Sequence, residues 1–107
     1  MQIVSIYVTC ANRSEAHRIA EALVTERLAA CVNILPAVTA VYRWQGRVRK
    51  SREVALICKT KKALLQKVIR RAKALHSYDV PCIVAWPIAG GTKEYVQWVG
   101  KETKSKA

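Results

Sequence analysis

The sequence predicts one α+β domain in which the elements follow the order β-α-β-β-α-β, with a further helix at the C-terminal end. The chain has 107 residues, a length that suits one domain, and 51% of them are hydrophobic, enough for a core. Short β-branched runs alternate with longer segments in which apolar residues recur at helical spacing. We therefore treat residues 1–107 as a single domain, with a frayed tail over about 101–107.

The first half of the chain predicts a strand, a helix and a long second strand. Ile3 to Thr9 is short and β-branched, as buried strands are. The next segment places its apolar residues on one helical face, and Asn12 or Ser14 can cap it by accepting backbone N–H bonds. Cys31 to Trp44 then alternates as a strand. Pro36 lacks the N–H that a sheet needs, so it predicts an edge, a bulge or a bend.

The second half of the chain predicts two more strands with a helix between them, followed by a short terminal helix. Gln45-Gly46 marks a turn, because glycine adopts positive φ at little cost. Thr60 is the predicted cap of the second helix, and Thr92 is the predicted cap of the terminal one. The strand, helix and strand between these points cover Val48 to Lys59, Lys61 to Leu75, and Cys82 to Trp86.

This order of elements is that of the ferredoxin-like fold, which predicts an antiparallel sheet with both main helices on one face. The fold hosts many unrelated functions and so assigns none. Its central hairpin is long, since the 14 residues of Cys31 to Trp44 span about 46 Å at about 3.3 Å each. A globule of this size is only about 35 Å across. The hairpin must therefore bend, or project and pair with another chain, where Tyr42 and Trp44 suit burial.

The charge of the chain is strongly basic and unevenly placed. The formal net charge is +12, and residues 1–40 contribute nothing to it. The hairpin tip, YRWQGRVRKSRE, carries Arg47, Arg49, Lys50 and Arg52, which can bind phosphate without sequence preference. RNA-recognition modules share the element order but stack bases on aromatics of the central strands. Here those strands supply only Tyr7, so no specific nucleic acid is expected and the tip is interpreted as solvated.

The cysteines and the N-terminus predict a compartment. Cys10, Cys31, Cys58 and Cys82 have no C-x-x-C spacing, and each lies in or beside an apolar run, as buried free thiols do. The first ten residues lack the pattern of a signal peptide or a membrane span. We expect a protein of the reducing cytoplasm with no membrane partner.

Four segments together resemble the CutA family of divalent-cation tolerance proteins: LAACVNILPAVTAVYRWQG, EVALICKT, HSYDVP and EYVQW. They occur in the family's order and spacing, from about the first strand to Trp98. The resemblance implies a ferredoxin-like subunit, a homotrimer in which long hairpins extend across subunits, and a link to tolerance of copper and other divalent ions. No catalysed reaction follows from it. The trimer also resembles PII-type signalling proteins, by fold analogy.

The resemblance implies a copper site near the end of the first strand. The family's H-P-Y is His76-Ser77-Tyr78 here, and imidazole suits copper and zinc. The family's cysteine position falls on Val8, and Cys10 lies two residues further, a shift of about 6.6 Å at about 3.3 Å per residue. His76 is the first candidate ligand and Cys10 the second. The alternative for His76 is a packed, hydrogen-bonded ring or one favoured by the helix dipole.

Six other side chains are candidates for a cleft or for subunit contacts. Glu53 and Lys59 have the same parity on one strand and can hold a small anion or ion between subunits, or form an ion-pair network. The aromatic candidates, for cleft lining or interface packing, are Tyr42, Trp44, Tyr78 and Trp98. Enzyme motifs such as G-x-S-x-G and the phosphate loop are missing from the sequence.

The predicted function is that of a non-catalytic, cytoplasmic homotrimer that binds copper or another divalent ion weakly and supports metal tolerance. It needs no organic cofactor. The alternatives are a PII-like scaffold or ligand sensor in which metal binding is incidental, and a basic nucleic-acid-binding module.

Overall fold

The computed structural model describes residues 1–105, which form a four-stranded antiparallel sheet and three α-helices. The strands lie in the order β2-β3-β1-β4, and every neighbouring pair is antiparallel. The predicted α+β class is confirmed. The elements are β1 (Ile3–Cys10), α1 (Arg13–Thr25), β2 (Cys31–Trp44), β3 (Arg47–Lys61), a 3₁₀ turn (Lys62–Leu64), α2 (Leu65–Leu75), β4 (Ile83–Pro87) and α3 (Lys93–Glu102).

The core lies between one face of the sheet and the helices α1 and α2. Alternate residues of β1 point into it, because successive side chains of a strand face opposite sides. Of the two predicted caps of α1, the structure uses Asn12, whose side chain accepts the backbone N–H of Glu15 at 2.9 Å. The core residues that are fully buried include Ile6, Val8, Cys10, Ile19, Leu23, Leu56, Val68 and Ala72.

The β2–β3 hairpin projects from this core. The two strands pair from Cys31 opposite Lys59 out to Trp44 opposite Arg47, with an irregular register between Leu35 and Val38. Pro36 lies in that interval and β2 is an edge strand of the sheet, so the predicted interruption of regular pairing at this proline is confirmed. Gln45 and Gly46 both have positive φ, 51° and 77°, as a two-residue hairpin turn requires. The protein measures 44 × 25 × 22 Å, and its long dimension matches the predicted hairpin length.

The other face of the sheet is only partly covered. The register places Tyr7 of β1 between Ile57 of β3 and Val84 of β4. Trp86 is 48% exposed, and its ring lies 6.1 Å from that of Tyr7. No helix within residues 1–105 is long and apolar enough to cross a membrane.

Two predictions about helix ends are wrong. Thr60 does not cap α2, because β3 continues to Lys61 and the buried Thr60 hydroxyl donates to the Leu28 carbonyl at 2.6 Å. The helix therefore begins at Leu65, after the 3₁₀ turn, rather than at Lys61.

The tail is also more ordered than predicted. Helix α3 includes residues 101 and 102, and the buried Thr103 donates its hydroxyl to the Val99 carbonyl at 2.9 Å. The backbone N–H of Lys104 donates to the Arg27 carbonyl at 2.9 Å, which ties the tail to the end of α1. A frayed tail is therefore wrong for residues 101–104. The last two residues, 106 and 107, lie outside the described residues.

Candidate functional site

Three potential metal ligands meet where β1 ends. Cys10 is the last residue of β1, Glu15 lies in the first turn of α1, and His76 is the C-cap of α2. Their donor atoms all lie within 4.8 Å of one another. The His76 side chain is fully buried and that of Glu15 is 5% exposed. The structure therefore brings together both predicted metal ligands and adds a carboxylate.

Glu15 accepts two backbone hydrogen bonds from two different loops. Its Oε1 accepts from the Ala11 N–H at 3.0 Å, and its Oε2 accepts from the Ser77 N–H at 2.9 Å. Burial raises the pKa of Glu15, but the hydrogen bonds from Ser77 and Ala11 and the neighbouring His76 outweigh it, so the pKa lies below its ordinary value. The side chain is therefore an ionised link between the β1–α1 loop and the α2–β4 loop.

The ring of His76 has a hydrogen-bond partner at each nitrogen. Nε2 lies 2.7 Å from the carbonyl oxygen of Thr9, and Nδ1 lies 3.1 Å from the backbone nitrogen of Tyr78. A carbonyl can only accept and a backbone N–H can only donate, so the ring is the neutral tautomer with its proton on Nε2. The lone pair is on Nδ1, which is 3.8 Å from Oε1 of Glu15. A metal ion at Nδ1 must displace the Tyr78 N–H.

Cys10 is a buried thiol in an acidic surrounding. Burial, together with Glu15 and Glu53, raises its pKa to about 12. The thiol is therefore protonated at neutral pH, whereas a metal ion binds the thiolate. Binding at Cys10 must release a proton.

Tyr78 extends the cluster to β3. Its hydroxyl donates to Oε2 of the buried Glu53 at 2.9 Å, and its ring lies 4.8 Å from that of His76. Burial and then the hydrogen bond to Glu53 raise the pKa of Tyr78 to about 12. Tyr42 of the hairpin also contributes to this shift, so it lies within electrostatic range. Glu53, Tyr78 and Tyr42 thus lie at the same end of the molecule as the three donors.

The other cleft candidates lie elsewhere in the chain. Lys59 donates to the side-chain oxygen of Asn33 at 2.7 Å, and it lies six positions after Glu53, about 20 Å along a strand. Within one chain, Glu53 and Lys59 therefore do not line the same cleft. Trp98 packs on Tyr95, with ring centres 5.6 Å apart, and Trp44 lies at the hairpin end. Trp44 and Trp98 are each 42% exposed.

Glu15 is the site residue that sequence reasoning missed. Its signal was present, since Asn12-x-x-Glu15 has the spacing of a capping box, in which the acid reaches back to a backbone N–H before the helix. The observed bond resembles it, but its donor is the N–H of Ala11, one residue before the N-cap Asn12. The spacing gave no sign that the second carboxylate oxygen accepts from Ser77, 62 residues away.

Comparison with known proteins gives a consistent family assignment. The sequence model described as "CutA1 divalent ion tolerance protein" matches residues 4–102. A Thermus thermophilus protein named "Divalent-cation tolerance protein CutA" is 49% identical over 98 residues, covering 92% of this chain and 95% of its own. "Protein CutA, chloroplastic" of Arabidopsis thaliana is 42% identical over 100 residues, 94% of this chain. This chain spans 55% of the length of the Arabidopsis protein.

Solved structures agree with the sequence matches. The Cut A1 divalent cation tolerance protein from Thermus thermophilus superposes with a TM-score of 0.93 at 47% identity, covering 95% of this chain and 99% of its own. The structure titled as a periplasmic divalent cation tolerance protein CutA, from Archaeoglobus fulgidus, gives 0.92 at 38% identity, with coverages of 95% and 99%.

Proposed function

Because the chain belongs to the CutA1 divalent ion tolerance protein family, we propose that it is a non-catalytic homotrimer that binds copper or another divalent ion weakly and takes part in the response to metal ions. The observation that carries the proposal is the convergence of Cys10, Glu15 and His76, with donor atoms within 4.8 Å. Imidazole, thiolate and carboxylate are donors that copper and zinc accept. Bound there, the ion would be held rather than used in a reaction.

The hydrogen bonds of the site support weak rather than tight binding. The Nδ1 lone pair of His76 is used by Tyr78, and both oxygens of Glu15 are used by backbone N–H groups. The Cys10 thiol keeps its proton at neutral pH because its pKa is raised to about 12. His76 must therefore give up its Tyr78 partner, and Cys10 its proton, before either binds an ion, whereas Glu15 keeps a further lone pair on each oxygen.

The exposed apolar surface of the hairpin supports the homotrimer. Val41 and Val48 are 66% and 68% exposed, and Tyr42 and Trp44 lie beside them on the projecting strands. Val84 and Trp86 add apolar surface on the partly covered face of the sheet. Large exposed apolar areas of this kind mark protein contacts, and projecting strands invite pairing with another chain.

The proposed cytoplasmic location rests on the oxidation state of the cysteines. All four cysteines are free, which suits the reducing cytoplasm. The Arabidopsis relative is named chloroplastic and the Archaeoglobus structure is titled periplasmic.

The comparisons do not favour the scaffold or ligand-sensor alternative, since the names they carry refer to divalent cations.

Calorimetric titration with CuCl₂ tests the site. We expect weak binding by the wild type that is lost or strongly reduced in His76→Ala, Cys10→Ser and Glu15→Gln. His17→Ala is the matched control, because His17 is an exposed histidine on α1 and no donor of the cluster. Copper binding by His76→Ala equal to that of the wild type would mean that the site is wrong. No binding by the wild type would mean that metal tolerance is indirect.

A further inference from the structure

The loop between α2 and β4 folds back on the histidine that precedes it. The backbone N–H of Tyr78 donates to Nδ1 of His76 at 3.1 Å, and Nε2 of the same ring donates to the Thr9 carbonyl at 2.7 Å. A neutral imidazole has one lone pair for bonding, which lies on Nδ1 in this tautomer. Tyr78 therefore occupies the one ring atom of His76 that can bind a metal ion.

Two further bonds hold the Tyr78 N–H in this position. The Tyr78 hydroxyl donates to Oε2 of Glu53 at 2.9 Å, and the Ser77 N–H donates to Oε2 of Glu15 at 2.9 Å. The rings of Tyr78 and His76 also lie in contact, with centres 4.8 Å apart. The first two residues of the loop are thus attached to β3 and to α1.

Glu53 is a firm attachment point for the loop. It is buried and pairs with Val38 of β2, and the residue that follows it, Val54, pairs with Cys10 of β1. The strand that carries Glu53 therefore has neighbours on both sides at this level of the sheet. Glu53 is not one of the three clustered donors, so the Tyr78–Glu53 bond can be removed without altering a candidate ligand.

The rest of the loop is held loosely. Asp79, Val80 and Pro81 make no hydrogen bond or ion pair within residues 1–105, and Val80 is 70% exposed. The next attachment is at Cys82, whose carbonyl accepts from the Thr9 N–H at 3.3 Å. Segments with few hydrogen bonds and little buried surface open locally at low free energy. The loop can therefore leave His76 while the sheet stays folded.

We propose that residues 77–81 form a latch over Nδ1 of His76 and that Tyr78 keeps the latch closed, a role that rests on the metal binding proposed above. In the closed state, shown by the structure, the Tyr78 N–H uses the lone pair of Nδ1. In the open state that lone pair is free. The apparent affinity for an ion is the intrinsic affinity multiplied by the open fraction. Tyr78 is a positioning residue, because it acts on the ion only through His76.

The latch makes fold stability and copper affinity change in opposite directions. Loss of the Tyr78 hydroxyl removes a bond that only the closed state contains, so it destabilises that state and raises the open fraction. An internal hydrogen bond typically shifts an equilibrium by a factor of roughly two to ten. A tyrosine with a purely structural role would behave differently, since its loss would leave the affinity unchanged or lower it.

Calorimetric titration of the whole chain with CuCl₂ tests the latch. Tyr78→Phe keeps the ring and the net charge, and it should bind copper at least about threefold more tightly than the wild type. Tyr7→Phe is the matched control, because the Tyr7 hydroxyl has no hydrogen-bond partner within residues 1–105. It should bind copper as the wild type does.

A charge-matched pair at Glu53 tests the other end of the bond. Glu53→Gln and Glu53→Leu both remove the charge, but only glutamine keeps a side-chain oxygen that accepts from Tyr78. Glu53→Leu should therefore bind copper at least about threefold more tightly than Glu53→Gln. In the Tyr78→Phe background this difference should disappear, because the donor is gone.

Hydrogen exchange followed by NMR tests the latch without metal. The amide of Tyr78 should exchange at least about tenfold faster than that of Ile6, which is buried at the centre of β1 between β3 and β4. The reason is that the latch opens locally, whereas the Ile6 amide is exposed only when the sheet unfolds. Exchange at Tyr78 as slow as at Ile6 would overturn the latch.

The titrations separate failure of the latch from failure of the metal site. If the wild type binds copper and His76→Ala does not, equal or weaker binding by Tyr78→Phe overturns the latch alone. Equal affinities of Glu53→Gln and Glu53→Leu do the same. No copper binding by the wild type or by Tyr78→Phe overturns the metal site and the latch together.

Discussion

The hydroxyl of Tyr78 donates a hydrogen bond of 2.9 Å to Oε2 of the buried Glu53. This bond connects the α2–β4 loop to β3, and the backbone N–H of the same tyrosine holds the ring of His76. The ring in turn donates to Thr9 at the end of β1. The candidate metal ligands therefore belong to a network that also holds the fold together at this end. The proposed metal binding would therefore compete with an internal hydrogen bond for Nδ1 of His76.

Removal of the Tyr78 hydroxyl should destabilise the protein. In Tyr78→Phe the buried Glu53 loses a donor, and we expect the free energy of unfolding to fall by about 1 to 3 kcal/mol. Urea denaturation at neutral pH measures it. Tyr7→Phe is the control, because the Tyr7 hydroxyl has no hydrogen-bond partner within residues 1–105. Equal stability of Tyr78→Phe and the wild type would mean that the bond to Glu53 contributes nothing.

Glu15 should make stability depend on acidic pH. Its pKa is lower in the folded protein than its ordinary value of 4.5, so the unfolded chain binds more protons in that range. The stabilisation is present above about pH 4.5 and is lost as the pH falls through the lower, folded pKa. We expect the melting temperature of the wild type to fall there, and that of Glu15→Gln to fall less steeply.

The control for this pH dependence is Glu21→Gln, which alters an exposed acid of the same helix and should keep the wild-type slope. Glu26, whose pKa is lowered by Arg71, remains in both variants and gives them a common background. Parallel curves for Glu15→Gln and the wild type would refute the prediction.

Trp44→Ala should weaken the proposed trimer. If another subunit buries this ring, its loss costs about 3 to 5 kcal/mol, as in a core. Light scattering coupled to gel filtration reads the mass, which is expected at three times 12.0 kDa for the wild type. Trp44→Phe keeps an aromatic ring and should assemble better than Trp44→Ala. A wild-type monomer at micromolar concentration, or an unchanged dissociation profile in Trp44→Ala, contradicts the proposed role of the hairpin.

Nucleic acid should bind only weakly and without sequence preference. The tip residues Arg47, Arg49, Lys50 and Arg52 are exposed and can contact phosphates, and such binding weakens as salt rises because it depends on counterion release. Fluorescence anisotropy with random and defined oligonucleotides at physiological salt measures it. Nanomolar, sequence-selective binding would make the tip a recognition element and reverse the ranking of functions.

Copper should bind more tightly than zinc or cobalt, and more tightly as pH rises. The Irving–Williams order favours copper at nitrogen and sulfur donors. Burial raises the pKa of Cys10 to about 12, so the thiol must lose a proton when it binds the metal ion near neutral pH. The affinity for copper should therefore rise by up to about tenfold for each unit of pH increase. Competition titrations at pH 6, 7 and 8 measure both trends. Affinity that does not change with pH would exclude Cys10 as a ligand.

Features that depend on neighbouring residues were predictable from the sequence. The buried strand β1, the cap at Asn12 and the irregular pairing at Pro36 each follow from the chemistry of a few adjacent residues. Thr60 was misassigned because its hydroxyl has a partner from a distant segment, the Leu28 carbonyl, which no local pattern indicates.

In the candidate site, too, some features could be predicted from the sequence and others depend on contacts between distant residues. His76 and Cys10 were named from a resemblance and from donor chemistry, but their proximity depends on how α2 packs against the end of β1. The tautomer of His76 depends on two backbone groups, from Thr9 and Tyr78, and only the three-dimensional structure supplies the first of them. Donor types were therefore accessible from the sequence, and their hydrogen bonds were not.

The central claim is that Cys10, Glu15 and His76 hold the metal ion. A crystal structure of the protein grown with Cu²⁺, with anomalous data collected at the copper absorption edge, tests it most directly. We predict one anomalous peak per chain among these three side chains, with the backbone N–H of Tyr78 displaced from Nδ1 of His76. A well-occupied peak elsewhere, with the hydrogen bonds of His76 unchanged, would contradict the claim.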